Sequence, residues 1–94
     1  LLEADGVYTG AGSCSDDDNR VTLTSDGSTL TLSGFTGNGD ITLTPTGDTT
    51  ATASNVVAFG VPGHTLTLTL NPATGQISFV LATAGSCSTT LRPL

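Results

Sequence analysis

The chain has 94 residues, a formal charge of −6 from eight acids against two cations, and 36% hydrophobic residues. With Arg20 and Arg92 as the only cations there is no electrostatic footprint for nucleic acid or for an anionic membrane. No apolar run approaches the ~20 residues of a membrane helix, and a chain this short reads as one domain, 1–94, whose core is small enough for a covalent staple to matter.

The predicted elements repeat at two residues, not at 3.6, from one end to the other. Leu1 to Asp5 read as an N-terminal arm, followed by a first strand over Gly6 to Gly12. The leading Leu1-Leu2-Glu3-Ala4 is too short for a signal peptide, so any secretion signal is expected to have been removed. An acidic stretch, Ser15-Asp16-Asp17-Asp18-Asn19, then leads into Val21-Thr-Leu23-Thr. Asp26-Gly27 suits a two-residue hairpin turn, which pairs Leu23 with Leu30 and Val21 with Leu32. Beyond Thr29-Leu30-Thr-Leu32, a bulge at Ser33-Gly34 and the turn Gly37-Asn38-Gly39 set Phe35 opposite Ile41 and Leu32 opposite Leu43.

The turn at Thr46-Gly47-Asp48 places Ala51 against Leu43 and Ala53 against Ile41. Pro62-Gly63 fits the centre of a type II turn, opposing Phe59 with Leu66 and Val57 with Leu68. Asn71-Pro72-Ala73-Thr74-Gly75 closes the next loop, Gly75 taking a left-handed conformation, and aligns Leu70 with Ile77, Leu68 with Phe79 and Leu66 with Leu81. Ser88 to Leu91 form the last strand. The fold class is therefore all-β, a small antiparallel up-and-down barrel of eight strands, with a two-sheet β-sandwich as the alternative.

In the meander, the end of the first strand and the start of the last share a rim, where Cys14 and Cys87 fall. A Cys14–Cys87 disulfide would fasten the seam, stabilise by about 4 kcal/mol on the chain-entropy model, and imply an oxidising compartment, secreted or periplasmic. The first strand, Gly6-Val7-Tyr8-Thr9-Gly10, resembles the Gly-x-Trp or Gly-x-Tyr opening of the small eight-stranded barrels of the lipocalin-like group, although this chain has no Trp. Related small barrels with one disulfide include periplasmic inhibitors of metalloproteases, and that resemblance implies an inhibitor whose arm, here Leu1 to Asp5, enters the protease cleft.

No catalytic constellation can be assembled: the single histidine, His64, follows the Pro-Gly turn, there is no Lys, and no Ser sits in a strand-to-helix elbow. The expectation is a non-enzyme. Clustered oxygens suit a hard cation, which makes Asp16 and Asp18, with Asp40 on the same rim, the candidate Ca²⁺ ligands; the alternative is a solvated acidic loop. No other cofactor and no small-molecule ligand is expected, because Leu, Val, Ile and three Phe fill so narrow a barrel. No Asn-x-Ser/Thr sequon is present.

Every acid except Asp48 lies at or before Asp40, and residues 49 to 91 carry no Asp, Glu, Lys or Arg. The register above points Val56, Ala58, Thr65, Thr67, Thr69, Val80, Ala82 and Ala84 outward as one neutral face, with Leu1 and Leu2 as an apolar tail. A face without charge suggests contact with something other than bulk water. The leading expectation is an extracellular structural subunit of a filament, layer or adhesive surface that associates with itself or with another extracellular protein. The alternatives are a binding or protease-inhibitor module and, lower, an ice-binding surface built from ranked threonines.

Overall fold

Alternating Thr and aliphatic residues suit a pleated sheet with one wet face, and they fold into eight antiparallel strands in the computed structural model, which describes residues 4–10, 12, 20–35, 40–58, 60–82 and 86–94. The strands are β1 (Gly6–Thr9), β2 (Arg20–Ser25), β3 (Leu30–Ser33), β4 (Ile41–Pro45), β5 (Thr50–Ala58), β6 (Val61–Asn71), β7 (Gln76–Ala82) and β8 (Cys87–Pro93). Each pairs with the next, and β1 returns to pair with β8, so the sheet closes into a barrel in chain order. Closure excludes the sandwich and removes the long free edges that a Thr-rich sheet would otherwise present.

The inner face is the aliphatic one. Leu23, Leu30, Leu32, Leu43, Leu66, Leu68, Ile77, Phe79 and Leu81 are almost wholly buried, each such side chain contributing about 1.5–3 kcal/mol of transfer free energy. Phe35 tilts onto Phe79 with ring centroids 4.5 Å apart. Ala51 and Ala53 supply the small side chains opposite large ones, Ala51 facing Leu68 and Ala53 facing Leu66.

The β6–β7 hairpin has the expected register, Leu66 with Leu81, Leu68 with Phe79 and Leu70 with Ile77, and Gly75 takes φ +75°. Three other connections differ by two residues. Leu23 faces Leu32 instead of Leu30, because Asp26 to Thr29 form a four-residue loop: the Ser28 and Thr29 amides donate to Asp26 Oδ1 at 2.9 and 2.7 Å. Leu32 faces Ile41 and Leu30 faces Leu43, and the proposed turn at 37–39 lies outside the described residues. At the next connection, Thr46 N–H donates to Thr50 O at 3.0 Å, which sets Ala51 opposite Pro45 instead of Leu43. Slips of two keep each inward residue inward, so the core is unchanged.

The β5–β6 connection differs in kind. The register shifts between Ala53 and Val56, where Asn55 adopts φ +56°, and the chain turns before Val61, which pairs with Ala58. Pro62-Gly63 is therefore part of β6 and not a turn. The extra residue in β5 exchanges the facing of the two valines: Val56 is 5% exposed and Val57 40% exposed, the opposite of the expected assignment, and the register shifts again between Val56 and Ala58.

At the seam, β1 pairs with β8 through Tyr8–Pro93 and Thr9–Arg92, and Gly12 rejoins β8 by a bridge to Thr89. Cys87 opens β8 opposite Leu81, half-buried. Its expected partner, Cys14, lies outside the described residues.

Candidate functional site

The outward residues of β5 to β8 line up in rows across the four strands. One row runs Thr50, Thr69, Ser78, Thr90, and the next runs Thr52, Thr67, Val80, Ser88. Thr65 and Ala82 pair in a third. Antiparallel register sets neighbours in a row at about 4.5–5.5 Å, so the face is a continuous sheet of hydroxyl and methyl groups. Val80, 38% exposed, is the large apolar side chain within it. None of these positions carries a charge; the nearest charge on β8 is Arg92, two residues beyond Thr90.

Of the residues expected on this face, Thr65, Thr67, Thr69, Val80 and Ala82 lie there, fully or partly exposed. Val56 does not: the bulge at Asn55 turns it into the core, and Val57 takes its place outside. Ala58 is a β5 position paired with Val61. Ala84, Leu1 and Leu2 lie outside the described residues. Val61, 43% exposed, joins Val57 as an apolar contribution that sequence reading missed. The adjacent pair Val56-Val57 carries no alternation from which the inward member could be chosen.

His64 is the single histidine. It lies inside β6 opposite Val56, 5% exposed, and neither ring nitrogen meets a hydrogen-bond partner among the described residues. Of the suggested Ca²⁺ ligands, Asp16 and Asp18 lie outside the described residues and Asp40 is exposed at the start of β4. Among the described residues no three His, Cys, Asp or Glu side chains come together as a metal site.

Asp40 does belong to a cleft. The β4–β5 ladder pairs Thr44 with Thr52 and Pro45 with Ala51, and beyond it the strands part around a space of about 250 Å³ lined by Asp40, Ile41, Thr42, Ser54, Asn55, Val56 and Val57. Buried Ile41 and Val56 lie at its base, while the other lining residues are exposed.

Two residues of the N-terminal arm are fastened to the barrel. Tyr8 OH donates to Ala4 O at 2.7 Å, and Ser25 N–H donates to Asp5 Oδ2 at 2.9 Å. Burial, with the Asp5 carboxylate as the lesser cause, raises the Tyr8 hydroxyl above its ordinary value of 10.0. No family model, curated protein or solved structure matches the chain.

Proposed function

We propose that this protein is a non-enzymatic extracellular structural subunit that associates through the uncharged outer face of β5 to β8. The observation that carries this reading is the pair of rows Thr50-Thr69-Ser78-Thr90 and Thr52-Thr67-Val80-Ser88, which cross four strands without a charge on a molecule of net charge −6. Self-repulsion at that charge keeps copies apart everywhere else, so a neutral face is where two of them meet at least electrostatic cost. Patches depleted of charge at their centre resemble the cores of protein interfaces. The one imidazole, His64, is buried away from any substrate, which supports a non-catalytic role.

We propose an oxidising compartment on the cysteine count, since an even pair, Cys14 and Cys87, in a small Thr-rich chain reads as a disulfide. Mass spectrometry of the non-reduced protein should find two hydrogens fewer than in the reduced chain; two free thiols would remove this support.

Association is tested by light scattering after size exclusion, with electron microscopy of the same fractions. Filaments or regular oligomers that grow with added salt, as screening relieves repulsion, are expected. Val80→Asp should abolish them while leaving the far-ultraviolet circular dichroism unchanged. A wild-type monomer at every salt concentration, or assembly untouched by Val80→Asp, would overturn the reading.

A further inference from the structure

The geometry points to a second, separate interaction site: the cleft between β4 and β5 receives an extended segment of a basic partner protein, which adds as a strand between Thr42 and Ser54 and pairs a Lys or Arg with Asp40. The first observation is the break in the ladder. Thr46 bonds Thr50, and Thr44 faces Thr52. Since hydrogen-bonding positions alternate along an antiparallel pair, the next two whose main-chain groups turn toward each other are Thr42 and Ser54, and the ladder stops short of them. β5 is irregular at the same level, where its pairing with β6 skips from Ala53 to Val56 and leaves Ser54 and Asn55 without a register partner on β6.

Each strand of the closed barrel pairs with its neighbours, and past Thr44–Thr52 the β4–β5 wall opens, so an added strand would find main-chain groups on both sides. The lining fits such a guest. Ile41 and Val56 offer an apolar base to side chains on one side of the inserted strand, and Thr42, Ser54 and Asn55 face the other. Asp40 supplies the carboxylate at the mouth.

Charge complementarity names the partner. A molecule of net charge −6 draws cationic segments and repels acidic ones, and the cleft carries a carboxylate and no cation. A second copy is a poor donor: its cations are Arg20 and Arg92, and both already sit in paired strands opposite Thr9, where neither can also run as an inserted strand.

The test uses an acetylated, amidated heptapeptide, Thr-Val-Thr-Val-Lys-Val-Thr, whose Val side chains share one side and whose Lys takes the other, titrated into ¹⁵N-labelled Val80→Asp protein, so that self-association plays no part. Expected are saturable shifts of the Asp40, Thr42, Ser54, Asn55 and Val57 amides, and binding about fivefold weaker for Asp40→Asn, the scale of one exposed ion pair. Asp48→Asn makes the same change in net charge at the opposite end of the β4 strand and should leave affinity unchanged. A peptide N-methylated at alternate residues should lose binding, because it cannot bond both edges. Equal weakening by Asp40→Asn and Asp48→Asn, equal affinity for a peptide with Gln in place of Lys, shifts mapping elsewhere, or none at millimolar peptide would each overturn the assignment.

Discussion

Val56 stands directly opposite His64 across the β5–β6 ladder, and both are buried, so the molecule's one imidazole faces an aliphatic side chain instead of a polar partner. Both ring nitrogens lack a hydrogen-bond partner among the described residues. An unsatisfied buried polar group costs on the order of 1–3 kcal/mol, and an apolar replacement of similar size removes that cost. His64→Leu should therefore raise stability by about 1–2 kcal/mol, shifting Tm upward by about 4–8 °C per kcal/mol for a domain of this size. Urea and thermal denaturation check it; a lower Tm in His64→Leu would show that the nitrogens have a partner after all.

The Asp26 carboxylate organises the β2–β3 loop by accepting the Thr29 and Ser28 amides and, at 3.1 and 3.2 Å, their hydroxyls. Those bonds, the Thr29 amide first, lower its pKa from 3.8 to about 2. A carboxylate depressed in the folded state contributes stability that is present above the unfolded value and is lost as pH falls through the folded one. Asp26→Ala should melt several degrees below wild type at pH 7, and the gap should close between about pH 4 and pH 2. Thermal melts across that range check the window; a gap constant with pH would mean that the carboxylate charge contributes nothing.

These two residues also mark how far the fold was legible. Alternation with period two identified the strands, their order and the inward side of most of them, because a one-residue slip would expose an entire aliphatic face. It could not separate registers that differ by two, since these bury the same side chains. Side-chain chemistry in the loop decides between them, as Asp26 does by holding Ser28 and Thr29. Where β5 inserts an extra residue at Asn55, the pattern misled: Val56-Val57 reads equally well in either phase, and Pro62-Gly63 looks like a turn while serving inside β6. The neutral face was legible except at that strand, because it rests on composition as much as on register. The β4–β5 cleft was not, because it is lined by the residues of that bulge, Ser54 to Val56.

Tyr8 is the single tyrosine, so its ionisation can be followed by absorbance without ambiguity. Burial is the main cause of its raised pKa and the Asp5 carboxylate the second. The phenolate should form with a midpoint above 10.0 in the folded protein. Asp5→Asn should lower the midpoint yet leave it above the ordinary value, since burial persists. As pH climbs past that ordinary value the unfolded chain loses its proton first, so stability should fall there. A wild-type midpoint at the ordinary value would mean that the hydroxyl is solvated.

Gly10 and Gly27 predict opposite outcomes for the same substitution. A Cβ on Gly27 meets nothing within 4 Å, and the only penalty is its φ of +95°. Gly27→Ala should thus cost about 1 kcal/mol and stay local to the loop. At Gly10 a Cβ would overlap the Thr90 carbonyl oxygen and stand 2.8 Å from the carbonyl carbon, so the obstacle is backbone that cannot rotate aside. The seam there is held by Tyr8–Pro93, Thr9–Arg92 and the Gly12–Thr89 bridge, on either side of the contact. Gly10→Ala must push β1 from β8, and a cost of about 3 kcal/mol, the upper end for overpacking, is expected. Amide hydrogen exchange separates the two: Gly10→Ala should speed exchange in β8, at Thr90 and Leu91, whereas Gly27→Ala should change only the residues around Asp26. Equal protection of β8 in both variants would mean that the barrel closes without the close approach at Gly10.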